Sequence, residues 1–210
     1  MRLAVITSFL IISSIEHATA QNAYFKLGQQ AYIDGNFKAA IKQLEKGYLI
    51  DSTNSLALWM LGYSYYHSDN LGKSITTFTR EIALNPNDAS AYYYRALAKY
   101  RLGKGSQILA DKEKHLMGAI VDFTKAITIS PSDAKIASFF QNRAIAYRDY
   151  GMFKLESASK PYDRTRGLNS LRAAMADFQK VLDSDGSRTD IASLMEVTKD
   201  KLSTATTMHH

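Results

Sequence analysis

Apolar and small residues recur along this chain with a period of 34 positions, and residues 21–54 align with 55–88 without a gap. The positions that keep their character are Leu27-Gly28 on Leu61-Gly62, Tyr32 on Tyr66, Asn36 on Asn70, Ala40-Ile41 on Ser74-Ile75, and Leu44 on Phe78. A fixed period of this length is typical of stacked supersecondary units that bury their apolar sides against one another. The pattern therefore predicts a series of repeated units after residue 20.

The repeated residues resemble the tetratricopeptide repeat (TPR), a helix–turn–helix unit. The resemblance rests on Tyr24, Leu27, Gly28, Tyr32, Gly35, Ala40 and Leu44 in a first repeat, on Leu61, Gly62, Tyr65, Tyr66, Phe78 and Pro86 in a second, on Tyr92, Ala96, Tyr100, Gly103, Ala119, Phe123, Ala126 and Pro131 in a third, and on Phe140, Ala144, Tyr147, Gly151, Ala174 and Phe178 in a fourth. It implies an all-α, right-handed superhelix of four repeats, closed by a C-terminal capping helix.

The chain then divides into six segments. They are a signal peptide at 1–20, repeats at 21–54, 55–88, 89–133 and 134–186, and a capping helix with a tail at 187–210. Apolar Ile191, Leu194, Met195 and Leu202 share one helical stripe, which suits a helix that covers the last repeat.

Two insertions interrupt the period, near 104–117 in the third repeat and near 152–171 in the fourth. One interpretation is that they lengthen the helices. Leu109, Leu116 and Ile120 continue an apolar stripe, and Asp163 or Thr165 can cap a helix that runs to Asp183. The other is a projecting basic surface that contacts a partner. Its members are Lys112, Lys114, Lys154, Lys160, Arg164 and Arg166.

The N-terminus differs from the repeats. Arg2 precedes an apolar run from Leu3 to Ile15, and Ala18-Thr19-Ala20 follows. A basic start, an apolar stretch and an A-x-A site are typical of a secretory signal peptide. The run is shorter than the ~20 residues of a membrane-spanning helix. We expect cleavage before Gln21 and a periplasmic or secreted protein without a membrane span after cleavage; an uncleaved anchor is the alternative.

Charged residues replace apolar ones inside the later repeats. Arg95 and Arg143 stand where Leu27 and Leu61 stand earlier, and Asp122 and Asp177 occupy the positions that face them. A half-buried guanidinium needs an acid, so the sequence predicts the ion pairs Arg95–Asp122 and Arg143–Asp177. Glu81 stands where a small residue is expected, and Arg95 is its expected partner. An internal ion pair is preferred to an acid–base catalytic role.

The resemblance also implies a binding surface, because first helices line the concave face of TPR proteins. The residues at these positions are Phe25, Gln29, Tyr32, Trp59, Tyr63, Tyr66, Tyr93, Tyr100, Arg101 and Arg148. Exposed aromatic groups of this kind usually mark interaction sites. The alternative is that some of the rings pack on one another or on the insertions.

Composition narrows the function further. Lys and Arg exceed Asp and Glu by six, which favours acidic partners. The sequence lacks Cys, a Gly-rich phosphate loop and paired metal-ligating histidines, so we expect no enzyme, no cofactor and no metal, and no nucleic-acid module is recognisable.

We therefore expect a non-catalytic adaptor that binds an extended or helical segment of another protein. The alternatives are a self-associating structural protein, in which homo-oligomers bury the same residues, and an accessory protein that binds cell-wall polysaccharide through its aromatic groups.

Overall fold

The computed structural model describes residues 23–156 and 163–207. In these ranges the chain forms nine α-helices and no strand, which confirms the all-α expectation. The predicted signal peptide, its cleavage site and Lys160 lie outside the described residues.

The chain divides into two compact units, with the division between Pro86 and Asn87. Unit 1 contains α1 (23–33), α2 (Phe37–Ile50), α3 (Ser55–His67) and α4 (Leu71–Leu84). Unit 2 contains α5 (Ala89–Gly105), α6 (Leu109–Ile129), α7 (Ile136–Leu155), α8 (Arg164–Ser184) and α9 (Thr189–Thr207).

Polar side chains fix several helix starts. The Asn54 side chain accepts a hydrogen bond from the Ala57 amide at 2.9 Å. Asp88 accepts bonds from two amides of the first turn of α5. Asp163 accepts one from the Arg166 amide at 3.0 Å, so it caps α8 in preference to Thr165, the other candidate from the sequence. Each bond satisfies an amide that has no partner within its own helix.

Unit 1 repeats one tight turn after each first helix. Gly35 and Asp69 are 34 positions apart, and their φ angles are +71° and +58°. The next residue closes the turn in both places, because the Asn36 amide donates to Ala31 O at 2.8 Å and the Asn70 amide donates to Tyr65 O at 2.9 Å. Glycine suits this conformation, whereas Asp69 adopts it at a steric cost.

The two insertions lengthen the helices of unit 2. Helices α5 to α8 contain 17, 21, 20 and 21 residues, against 13 in α3 and 14 in α4. Gly103 and Gly151, which match the turn glycine Gly35 in the repeat pattern, are therefore both helical. At Gly151, a Cβ atom would lie only 3.0 Å from the Gly167 carbonyl oxygen, so two glycines let α7 and α8 approach closely.

The interpretation of the insertions as a projecting basic surface is wrong for two of its members. Lys154 is buried, and its Nζ lies 2.6 Å from Glu113 Oε1, because a buried ammonium group requires an acidic partner. Arg164 donates to the carbonyl oxygens of Ala205 and Thr206, so it joins α8 to α9.

Each unit has its own apolar core. In unit 1, Ala40 and Leu44 of α2 pack against Met60, Leu61 and Tyr65 of α3. Unit 2 has clusters between α5, α6 and α7 and between α7, α8 and α9. Their larger members are Leu116, Phe123, Tyr150, Phe153, Phe139, Phe178, Val181 and Ile191. The predicted capping helix α9 thus covers an apolar side of unit 2 through Ile191.

The predicted ion pairs Arg95–Asp122 and Arg143–Asp177 are present in unit 2. Arg143 binds both carboxylate oxygens of Asp177, at 2.7 and 2.8 Å. Arg95 binds Asp122 in the same two-point manner, and Lys99 Nζ adds a third bond at 2.8 Å. Burial by itself lowers the pKa of Arg143, but the hydrogen bond and charge of Asp177 outweigh it and raise that pKa.

Glu81 is fully buried in unit 1, where its Oε1 accepts a hydrogen bond from the Ser55 hydroxyl at 3.0 Å. A partner on α3 was not anticipated from the sequence. The pairing of Glu81 with Arg95 stays a prediction.

Candidate functional site

Aromatic side chains of α1, α2 and α3 form one continuous surface in unit 1. Trp59 stacks on Tyr63, with centroids 5.3 Å apart, and Tyr32 meets both rings edge-on. Phe37 extends the group by stacking on His67 at 4.9 Å, and Tyr66 meets His67 edge-on. We call these six residues, Tyr32, Phe37, Trp59, Tyr63, Tyr66 and His67, the aromatic surface.

The aromatic surface is half-buried rather than open. Tyr32, Phe37, Trp59, Tyr63 and Tyr66 have intermediate exposure, and His67 is exposed. The Trp59 ring also meets the ring of the core residue Phe78 edge-on, with centroids 6.4 Å apart. Part of the cluster is therefore in contact with the core. The rings therefore support one another and still expose apolar area to water. The sequence left open whether the rings are exposed for binding or pack on one another, and in unit 1 they do both.

The spacing of first-helix positions explains why most of these residues meet. On α3, Tyr63 follows Trp59 by about one helical turn, and Tyr66 follows Tyr63 by about one more. The three side chains therefore share a face of the helix. Phe25 and Gln29 precede Tyr32 on α1 at similar steps and are half-buried; Phe25 packs on the unit 1 core.

Phe37 was missed by sequence reasoning because it belongs to a second helix. Its position directly after the tight turn at Gly35 returns the chain beside the end of α1, where its ring contacts Tyr32 at 6.4 Å. The signal that could have found it is this position after the turn.

The chemistry of the aromatic surface is apolar and neutral. Burial raises the pKa of Tyr32, and the neighbouring Tyr63 raises it further, so the hydroxyl stays protonated near neutral pH. The surface offers ring faces and edges, together with the imidazole of His67. Such a surface can bind apolar side chains and can position them against ring edges.

The predicted site residues of unit 2 behave differently. Tyr93 stacks on Phe139 at 4.6 Å, and its hydroxyl accepts a hydrogen bond from Asn142 at 2.9 Å. Tyr93 is therefore part of the packing between α5 and α7.

Asp149 joins two further predicted residues of unit 2. The Tyr100 hydroxyl donates to Asp149 Oδ2 at 2.6 Å, and Arg148 donates twice to Oδ1 of the same carboxylate. Burial and the bond to Asp149 raise the pKa of Tyr100. Asp149 thus balances the charge of Arg148 within unit 2. The side chain of Arg101, the other predicted arginine, is exposed. That these residues and the aromatic surface line one continuous groove stays a prediction.

Comparison with solved structures identifies the architecture. MamA of Desulfovibrio magneticus RS-1 aligns with a TM-score of 0.65 at 17% identity, over 89% of each chain. TTC0263, a thermophilic TPR protein of Thermus thermophilus, aligns with a TM-score of 0.52 at 18% identity, over 85% of this chain and 98% of that one. The chain has the tetratricopeptide-repeat fold.

The TPR fold is shared with PilF of Pseudomonas aeruginosa, with a TM-score of 0.53 at 17% identity over 89% of this chain and 70% of that one. At these identities the likeness concerns the fold. No protein-family model matches the chain. No curated protein sequence matches it.

Within residues 23–156 and 163–207, no three His, Cys, Asp or Glu side chains come together as a metal site. None of the helices in the same ranges combines the length and the apolar character that a membrane crossing requires.

Proposed function

We propose that this chain is a non-catalytic adaptor of the cell envelope or secreted space, and that unit 1 binds an apolar segment of a partner protein. The observation that carries the proposal is the aromatic surface, where five half-buried rings and His67 form one connected face. Tyr and Trp provide large contact areas at a small cost in side-chain entropy, and they are enriched among the residues that dominate binding energy.

The geometry favours a partner that inserts apolar side chains. The stacked pair Trp59–Tyr63 leaves ring edges and faces for further aromatic or aliphatic contacts, and no acidic side chain belongs to the aromatic surface. Because the rings already hold one another in place, little side-chain freedom is lost on binding, which favours affinity.

A photo-crosslinking experiment tests the proposal. A photoreactive phenylalanine analogue in place of Tyr66 should capture a partner that the same group at Tyr24 does not. Tyr24 is an aromatic residue of α1 outside the aromatic surface, where it lies under Lys46. The captured partner is then titrated against the fluorescence of Trp59, the one tryptophan of the chain.

Binding should shift the Trp59 emission. Tyr63→Ala combined with Tyr66→Ala should weaken binding by about 2 kcal/mol or more, whereas Tyr24→Ala should leave it unchanged. Equal affinities for the two variants would contradict the proposal. A dilution-resistant dimer that Tyr63→Ala dissociates would identify a second copy as the occupant instead.

We also propose that the protein is exported. The support is the order of a basic residue, an apolar run and Ala18-Thr19-Ala20 ahead of the first repeat. Mass spectrometry of the protein from each cell fraction tests this: a form that begins at Gln21, outside the cytoplasm, is expected. Protein that keeps Leu3 to Ile15 and stays in the cytoplasm would refute it.

A further inference from the structure

A concave site lies on a part of unit 1 separate from the aromatic surface, between α2 and α4. It has a volume of about 470 Å³. We call it the α2–α4 cleft. The lining residues that define its chemistry are Tyr48, Leu49, Leu58, Leu61, Gly72 and Arg80. The volume falls within the range of about 300–1,000 Å³ that is typical of ligand sites.

The floor of the α2–α4 cleft is apolar. Leu58 and Leu61 of α3 are 2% and 4% exposed and lie at its base. Leu49 stands at its edge with 84% exposure, which is high for a leucine. Leu49 therefore gains most from an apolar partner, because its side chain is left in water otherwise.

The α4 wall presents few competing polar groups. The Thr76 hydroxyl donates to Gly72 O at 3.1 Å, and the Thr77 hydroxyl donates to Lys73 O at 2.8 Å. Both donors are thus satisfied within α4 itself. Gly72 leaves the wall open, since a Cβ atom there would meet nothing within 4 Å.

Two polar bridges cross the α2–α4 cleft and differ in their charge balance. Lys73 Nζ lies 3.1 Å from Glu45 Oε1, so this cation has its acid. Arg80 Nη1 instead donates to the neutral Tyr48 hydroxyl at 2.7 Å, and its guanidinium lies 5.4 Å from the centre of the Tyr48 ring. Among the described residues, Arg80 has no carboxylate partner within ion-pair distance.

An exposed guanidinium with one neutral acceptor keeps several N–H donors for a ligand. Its position over Tyr48 fixes it beside an apolar floor, where a carboxylate can bind it without displacing another acid. The complement of this arrangement is a large apolar side chain next to an acidic one.

We propose that the α2–α4 cleft binds a partner segment of that composition, with the apolar side chain over Leu58 and Leu61 and the carboxylate on Arg80. The site is independent of the aromatic surface, and the two can be tested separately on the same protein.

The probe is a pair of blocked peptides of about 15 residues, roughly four helical turns. One peptide carries leucines flanked by glutamates, and the other carries lysine in place of each glutamate. Binding is followed through the ¹⁵N amide shifts of Gly72 and Thr76 in the full chain. The Glu peptide should bind about five-fold more tightly than the Lys peptide, the size expected for a surface ion pair.

Two variants assign the effect to the cleft. Arg80→Glu should reverse the preference between the two peptides. Arg172→Glu changes the net charge equally at an exposed site of unit 2 and should leave the preference unchanged. Gly72→Leu should weaken binding of the Glu peptide at least several-fold by filling the open wall, whereas Gly72→Ala should retain most of it.

Several results would overturn the proposal. One is a Glu peptide that does not shift Gly72 and Thr76, and another is a preference that survives Arg80→Glu. A dimer that Gly72→Leu dissociates without peptide would show that a second copy occupies the cleft. Tyr63→Ala should leave peptide binding unchanged, so failure at the cleft is distinguishable from failure of the aromatic surface.

Discussion

At the scale of single residues, charge pairing organises the interior of unit 2. The carboxylates of Asp122 and Asp177 are each 4% exposed, and each binds a guanidinium through two hydrogen bonds. Burial strengthens the attraction and also makes an unpaired charge costly. The sequence predicted both pairs because an Arg and an Asp appear together at facing repeat positions in the later repeats. Either charge alone would be buried without a partner.

Asp177→Ala should lower the free energy of unfolding by about 3 kcal/mol, because the Arg143 guanidinium stays largely buried without its acid. Urea unfolding measures the change. Asp183→Ala is the control, since Asp183 is exposed and accepts one bond from Gln179. The double change Arg143→Leu and Asp177→Leu should be less destabilising than Asp177→Ala. A single variant as stable as the control would contradict the assignment.

The Tyr65 hydroxyl gives unit 1 a pH-dependent contribution to stability. The Tyr65 side chain is buried and its hydroxyl donates a hydrogen bond to Glu45, and both effects raise the pKa of Tyr65. A pKa that is higher in the folded than in the unfolded state gives stability that is present below about pH 10, the ordinary pKa of tyrosine, and is lost as pH rises further.

Tyr65→Phe should therefore be about 1 kcal/mol less stable than the wild type near pH 7. The difference should stay constant up to about pH 10 and shrink as the pH rises further, because only the wild type loses this contribution. Urea midpoints across this range provide the measurement. A difference that is constant with pH would show that the hydroxyl titrates normally.

At the scale of elements, small residues decide how closely helices approach. In unit 1, a Cβ atom on Gly28 of α1 would lie 2.6 Å from Leu44 Cγ of α2, closer than any real contact. In unit 2, Gly151 and Gly167 have the same role between α7 and α8. Gly28 occupies a small-residue position of the repeat, whereas the Gly151–Gly167 contact depends on an insertion that has no repeat register.

Gly28→Ala should destabilise the protein by about 2 kcal/mol, because the added methyl group forces Leu44 and the helices apart. Gly72→Ala is the matched control, with open space around its Cβ position. It should be neutral or stabilising by about 0.5–1 kcal/mol, since alanine favours helices. Thermal unfolding of the two variants tests the contrast, and equal effects would refute it.

Helix α9 should contribute to stability through its buried apolar residue Ile191. Ile191 is fully buried against the α7–α8 cluster, whereas Val197 of the same helix is 54% exposed. Ile191→Ala should cost about 3 kcal/mol, the effect of removing a large core side chain. Val197→Ala should change the free energy of unfolding by less than about 0.5 kcal/mol. Comparable losses from both would show that α9 does not act as a cover.

At the scale of the whole molecule, the net charge of +6 should influence association more than folding. The chain contains no Cys, so packing and ion pairs hold the units without disulfides. The basic charge favours encounters with acidic partners at long range. At 0.1 M salt, the attraction between exposed charges more than about 10 Å apart is largely screened.

The association rate with the partner that photo-crosslinking identifies should therefore fall by about ten-fold between low and high salt, while the dissociation rate changes little. Stopped-flow fluorescence of Trp59 separates the two rates. The control is the Tyr63→Ala variant, which should keep the salt dependence and dissociate faster. A salt-independent association rate would indicate a partner without complementary charge.

The sequence by itself determined the helical repeats and the Arg–Asp pairs. Both follow from residues at fixed spacing, where local geometry places side chains on known faces. The sequence also located most of the aromatic surface, because Tyr32, Trp59, Tyr63 and Tyr66 occupy first-helix positions.

Only the tertiary structure decided the rest. Lys154 is buried beside Glu113, Asp149 binds both Tyr100 and Arg148, and Arg80 in the α2–α4 cleft binds the neutral Tyr48 hydroxyl. Most of these contacts join different helices, and the residues that make them do not recur at the repeat spacing. Spacing along a chain fixes the face of a helix on which a residue lies, but packing between helices fixes the neighbour that it meets.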